Sequence, residues 1–167
     1  ARSPSWLRCG YRWSPPNRRY LHSDMILPSS YGEKLYAGVA IDSSASITPK
    51  ELSYFLGTLQ GVLDTFADYE VHVAAFSDTL HSHKLYETGD PVTDFTFDSR
   101  GGTSVQPALD WFTEHHPRMG CLVICTDGRL PDEPTEEPPF PVLWVYSQHR
   151  EPPAFGQHIE LDWTTHE

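Results

Sequence analysis

Four apolar runs of strand length punctuate the chain from residue 35 onward. The most complete is Leu35-Tyr36-Ala37-Gly38-Val39-Ala40-Ile41, followed at once by Asp42. A run with no polar alternation is the pattern of a strand buried on both faces, as in a parallel sheet. Val71–Phe76, Gly120–Thr126 and Pro141–Tyr146 read the same way. Thr79–Tyr86 is more polar and predicts a strand nearer the sheet edge. Thr93–Phe97 and His158–Trp163 predict two further short strands.

Between these runs the period changes. Leu52, Phe55, Leu56, Leu59, Val62, Leu63 and Phe66 recur at helical spacing. Thr48 precedes them as an N-cap, Pro49 suits the first helical position, and Glu51 closes a capping box. A helix over about 48–67 follows. Val105, Ala108, Leu109 and Phe112 predict a second helix, capped by Thr103 or Ser104 and stopped before Pro117. Residues 128–141 hold Pro131, Pro134, Pro138, Pro139 and Pro141 and are predicted as a loop. Apolar strands alternating with two amphipathic helices mean an α/β fold: a central, mostly parallel sheet with an antiparallel edge strand and helices on both faces.

The domain organisation is simple. Residues 1–33 are broken by Pro4, Pro15, Pro16, Pro28 and Gly32, and predict an irregular basic and aromatic arm. Residues 34–167 form one domain. The first twenty residues carry arginines, tryptophans and prolines rather than an apolar core, so no secretion signal is read there. No apolar run reaches the ~20 residues of a membrane-spanning helix.

Charge adds a constraint. The net charge is −11. Residues 1–22 hold five of the twelve basic residues and no acid, which leaves the remainder at −16. An acidic body argues against nucleic acid or an anionic membrane as the main partner and is compatible with a divalent cation. Arginines interleaved with Trp6, Tyr11, Trp13 and Tyr20 form a segment that packs against the acidic body more readily than it makes a nucleic-acid platform without an accompanying fold signature. Cys121 and Cys125, i and i+4 on one predicted strand, read as small buried hydrophobes in a reducing, cytoplasmic setting. His81 and His83 would share a face of the edge strand, with no third metal ligand in view.

The candidate chemistry lies where the apolar strands end. Asp42, Ser44 and Ser46 place a carboxylate and two hydroxyls at alternate positions, just before the first helix. Thr103 follows Gly101-Gly102 before the second helix, and Asp127 ends the Gly120–Thr126 strand. In open α/β sheets ligands bind beyond the carboxyl ends of the strands, where Asp42 and Asp127 both fall. Hard oxygen donors suit Mg²⁺, Mn²⁺ or Ca²⁺. Taken singly, these residues also fit ordinary capping and turn chemistry. Asp42 is expected at a solvent-facing strand end, so that Asp42→Ala would spare the fold.

D-x-S-x-S, a later Thr and a later Asp resemble the metal-ion-dependent adhesion site (MIDAS) of von Willebrand factor A (VWA) domains, over residues 34–147. The resemblance implies a Rossmann-like VWA fold and a non-enzymatic, metal-dependent protein-interaction module. By it, Ser44, Ser46 and Thr103 would ligate Mg²⁺ (or Mn²⁺ or Ca²⁺) directly, Asp42 and Asp127 would act through water or hydrogen bonds, and a partner's Asp or Glu would complete the ion. Trp13-Ser14-Pro15-Pro16-Asn17-Arg18-Arg19 and Leu27-Pro28 are similar to a narrower group, VWA-like domains at the C-terminus of metallopeptidase-like proteins of bacteria and phages. That group implies an adaptor role with an AAA+ ATPase. The chain departs from the pattern at Ala45, where glycine is usual, and in the proline-rich loop after Asp127.

Two other readings stand beside it. A carboxylate-bound ion could serve phosphoester hydrolysis, with Asp78 or Asp98 as general base, or the domain could be structural with a vestigial site. Glu114-His115-His116 is not the H-E-x-x-H of a zinc peptidase.

Overall fold

A computed structural model describes residues 11–12, 29–30, 34–44, 47–98, 101–148 and 150–161. Within the expected arm, β1 (Tyr11–Arg12) pairs antiparallel with β2 (Ser29–Ser30); the rest of residues 1–33 lies outside the described residues, as does the end of the strand expected over 158–163.

The domain itself runs β3 (Leu35–Asp42), α1 (Pro49–Leu63), β4 (Tyr69–Phe76), β5 (Leu80–Glu87), α2 (Gln106–His115), β6 (Cys121–Thr126), β7 (Val142–Tyr146) and β8 (Gln157–Glu160). Six strands form one sheet in the order β5-β4-β3-β6-β7-β8. Only β4 and β5 are antiparallel; the other neighbours are parallel. The fully apolar runs are the inner strands, and the polar Leu80–Glu87 is an edge, as a strand with one solvated side must be.

The chain winds outward in both directions from β3, so the strand order reverses between β3 and β6. Alternate β3 residues feed two cores. Leu35, Ala37, Val39 and Ile41 pack under α1 with Phe55, Leu59 and Leu63. Ala40 joins α2's Val105, Ala108, Leu109 and Phe112 on the opposite face. Gly38 also faces α2: a Cβ there would stand 2.7 Å from Phe112 Cε1 and 2.9 Å from Met119 Sδ. Its missing side chain sets how closely α2 approaches the sheet.

Helix α1 has the expected start. Thr48 Oγ1 accepts from the Glu51 N–H at 3.2 Å, and Glu51 Oε2 accepts from the Thr48 N–H at 2.7 Å. It ends at Leu63 rather than near 67, because the Thr65 and Phe66 N–H groups turn back to the Val62 and Leu63 carbonyls.

Three expectations are corrected. Thr93–Phe97 is not a strand. Val92–Asp94 forms a 3₁₀ turn, Val92 N–H donates to Gln60 Oε1 at 2.7 Å, and Val92 and Phe95, three apart, are both buried against the α1 core. Neither Thr103 nor Ser104 caps α2: Val105 takes the N-cap position without a side-chain bond, and the Ser104 N–H goes to the Ser77 carbonyl at 2.9 Å. Nor do His81 and His83 share a face. Ala75 pairs with His81 but Val73 with Lys84, so β5 carries one extra residue at Ser82, whose φ is 54°. Such a bulge flips every later side chain to the other face.

Candidate functional site

The carboxyl ends of β3 and β6 meet at the reversal point of the sheet, and Asp42 and Asp127 stand on them side by side. Asp42 is fully buried rather than solvent-facing. The residue that ends an inner strand is roofed by the loops on both sides of it, and a run read as linear sequence does not show that roof. Asp42 Oδ1 accepts from the Ser44 N–H at 2.8 Å, and Oδ2 accepts from the Thr126 hydroxyl at 2.9 Å. The first bond turns the chain so that Ser44 faces outward, half-buried. Thr126 Oγ1 in turn accepts from the Gly128 N–H at 3.1 Å, which ties the two loops together.

Asp127 is 3% exposed. Its Oδ1 accepts from the Arg129 N–H at 2.9 Å, in a turn of the kind Asp favours. Among the described residues, its Oδ2 is buried without a hydrogen-bond partner. Native proteins rarely leave a buried carboxylate oxygen in that state. Burial raises the Asp42 carboxyl above the usual carboxylate range; the Ser44 and Thr126 hydrogen bonds oppose this, and the Asp127 charge adds to it. Two buried carboxylates thus repel each other, and among the described residues no Lys or Arg pairs with either.

The third loop arrives from the α2 side. Gly102 has φ +86°, and a Cβ there would stand 2.0 Å from Asp78 Oδ1. The positive φ and the missing Cβ let the Gly102-Thr103 backbone lie against the Asp78 carboxylate. The Ser104 N–H to Ser77 carbonyl bond holds the loop there, which leaves Thr103 partly exposed, one residue from that contact. Ser46 lies outside the described residues. Of the five expected site residues, the structure brings Asp42, Ser44 and Asp127 to one sheet edge, with Thr103 on the loop pinned to the end of β4.

Sequence reasoning missed several supporting residues. Thr126 bridges Asp42 to the β6 loop; its position before Asp127 was the available signal. Ser43 donates its hydroxyl to the Phe76 carbonyl at 2.8 Å, and His81 Nε2 is hydrogen-bonded to the Ser43 Oγ at 2.9 Å, so β5 buttresses the loop between Asp42 and Ser44. Arg150 binds the Gly128 carbonyl through Nη1 and Glu133 Oε2 through Nη2 at 3.0 Å, clamping the loop after Asp127. No sequence spacing announces that pair. Among the described residues, no group of three or more His, Cys, Asp or Glu side chains is arranged to hold a metal ion. The cluster at this edge offers two carboxylates, and its remaining oxygens are hydroxyls.

A six-stranded, mostly parallel α/β sheet with one antiparallel pair, reversed at β3 and flanked by helices, is the fold of a VWA-like domain. The family model for the VWA-like domain (DUF2201) matches residues 37–162, and the chain belongs to that family. An uncharacterized protein of Thermotoga maritima is 32% identical over 114 residues. That alignment covers 68% of this chain and 27% of the relative, so the chain spans about a quarter of its length. Two solved structures share the fold. An aerotolerance-related membrane protein from Bacteroides fragilis is 16% identical with a TM-score of 0.50, over 67% of each chain. The ArnB paralog VWA2 from Sulfolobus acidocaldarius is 14% identical with a TM-score of 0.51, over 72% of this chain and 37% of its own. Among the described residues, no helix is long and apolar enough to cross a membrane.

Proposed function

We propose that the Asp42–Asp127 edge holds a hard divalent cation, Mg²⁺ or else Mn²⁺ or Ca²⁺, and presents it to a carboxylate of a protein partner. Asp42, Ser44, Ser46, Thr103 and Asp127 would hold it. The observation that carries this reading is the orphaned, buried Asp127 Oδ2 beside a buried Asp42. A cation relieves both the missing partner and the repulsion, and the donors are all oxygens of the type such ions take. When bound, the ion supplies a positive coordination point that an acidic side chain can reach.

Binding rather than catalysis is the activity we infer. Both Asp42 oxygens are committed to the Ser44 N–H and the Thr126 hydroxyl, so this carboxylate orients the site instead of shuttling protons. VWA-like domains are often protein-interaction modules, which supports the same reading. The partner we propose is a protein with an exposed Asp or Glu, with an AAA+ ATPase component as the class to try first. The free, buried Cys121 and Cys125 suit a reducing cytoplasm.

The test is calorimetric titration of the whole chain with Mg²⁺, Mn²⁺ and Ca²⁺, then of the loaded protein with candidate partners. Saturable binding of an ion, and partner capture that a chelator reverses, are the expected results. Partner capture unaffected by chelator, or no ion uptake at millimolar concentration with or without partner, rejects the proposal.

A further inference from the structure

The β5 bulge places His83 on the α2 face, where it meets three more histidines. His72 comes from β4, and His115 and His116 come from the end of α2. His72 Nδ1 and His83 Nε2 lie 3.1 Å apart, with ring planes within 5° and centroids 5.3 Å apart. That centroid separation is almost the N···N contact plus a ring radius at each end, so the two nitrogens meet head-on. A metal ion between in-line imidazole nitrogens would hold them about 4 Å apart. The gap fits a proton.

The neighbours fix how many protons the group can carry. His72 Nε2 is 3.0 Å from Glu70 Oε1, and Lys34 Nζ is 3.5 Å from Glu70 Oε2. Ionised Glu70 only accepts, so His72 Nε2 bears a proton. In neutral His72 the Nδ1 is then an acceptor, and His83 Nε2–H donates to it. One added proton is absorbed: His72 becomes the cation between Glu70 and a His83 that has switched tautomer. The next has no such place. On His83 it would set two N–H groups head-on. On His116 it would set a second cation against His72, whose ring centroid is 3.9 Å away.

The other groups on this seam do not help the second proton. His116 Nδ1 is hydrogen-bonded to the Tyr36 hydroxyl. Trp111 covers His83 and His115 at 4.8 and 4.5 Å. Glu87, across the ladder from Glu70, would favour a cation and exposed Arg118, in the next turn, would oppose one, but neither is among the charges acting on His83 or His116. Burial, and then the His72 and His115 charges, hold His83 below the ordinary imidazole range. Burial, then His72, His83 and His115, bring His116 down to about 4, with Glu70 opposing.

We propose that His72, His83 and His116 form an acid-sensitive latch between α2 and the sheet: one proton is taken up without change, and the next releases the C-terminal turn of α2. That turn is held by the His116 N–H on the Phe112 carbonyl at 2.8 Å and leads to Gly120, whose N–H binds the Tyr36 carbonyl at 2.7 Å. The sign follows from linkage. An imidazole held below its unfolded value leaves stability intact above about pH 6.5 and drains it as pH falls toward the folded value. The window for His116 is therefore about 6.5 down to about 4.

The experiment is amide exchange over residues 112–120 of the whole chain, corrected for intrinsic rates, together with histidine resonances followed by NMR from pH 7.5 to 4.5. The wild type should show exchange rising by roughly tenfold or more between pH 7 and 5, with His83 and His116 titrating below the ordinary imidazole range. His83→Gln/His116→Gln should flatten the exchange response. Tyr36→Phe, which removes a hydroxyl partner of His116, serves if the double variant does not fold, and should raise the onset pH. Independent titration of His83 and His116 near 6.5 overturns the latch. So does an exchange response unchanged in both variants.

Discussion

Asp127→Asn should invert its effect on stability when the cation is added. In the ion-free protein Asp127 Oδ2 is a buried acceptor without a donor among the described residues, a state that costs about 1–3 kcal/mol, more when charged. The neutral amide removes a charge that opposes Asp42, keeps an oxygen for the Arg129 N–H, and brings its own donors. The ion-free variant should therefore be more stable than the wild type by up to about that amount. At ~2–4 °C per kcal/mol for a chain of this size, the gain is roughly 2–12 °C in Tm. With cation at about 100 times its Kd, the wild type gains about 2.7 kcal/mol, or roughly 5–11 °C, and the variant far less. Thermal unfolding of both proteins, chelated and at saturating Mg²⁺ or Mn²⁺, measures all four values. The reasoning fails if Asn lowers Tm equally in both conditions, or if the variant keeps the wild-type response to the ion.

Four further outcomes follow from the same geometry. Asp42→Ala strips the acceptor from the Ser44 N–H and the buried Thr126 hydroxyl, and should cost about 2–4 kcal/mol in chemical denaturation as well as abolish the ion response. Thr103→Ala should change stability by under ~0.5 kcal/mol, since Thr103 caps no helix, while lowering ion affinity in calorimetry. The Mg²⁺-induced rise in Tm should shrink as pH falls into the upper carboxylate range, because Asp42's raised carboxyl lets protons compete with the ion there; a pH-independent rise would disprove the competition. Gly38→Ala should overpack the α2 seam by about 1–3 kcal/mol, read as a lower denaturation midpoint with an unchanged slope.

The parts legible in the sequence were those written in local periodicity. The continuous apolar runs identified the inner strands because both faces of β3, β6 and β7 are buried, and the Thr48–Glu51 box located the start of α1. The edge position of Leu80–Glu87 followed from its polarity. What failed depended on partners distant in sequence. Thr93–Phe97 has strand-forming residues, but Gln60 on α1 binds the Val92 N–H and a turn wins. Alternation along His81-Ser82-His83 predicted a shared face, and one residue at positive φ split the pair between the two sides of the sheet. The solvent-facing Asp42 was the most consequential error. Its burial converts the site from an open oxygen cluster into a charge held in a dry pocket, and this changes what substitution there does. Of the site itself, residue types and strand-end positions were readable, because strand-to-helix junctions on one sheet edge must converge. The Thr126 bridge, the Asp78–Gly102 contact and the Arg150 clamp were not, because each is set by how neighbouring loops close over a buried carboxylate. The β5 bulge also acts at two places in the molecule. The bulge that sends His83 to the α2 seam leaves His81 on Ser43, so one inserted residue in β5 serves both the proposed ion site and the proposed latch. Removing that residue should therefore disturb the histidine titration and the Asp42 loop together, whereas His83→Gln should disturb only the first.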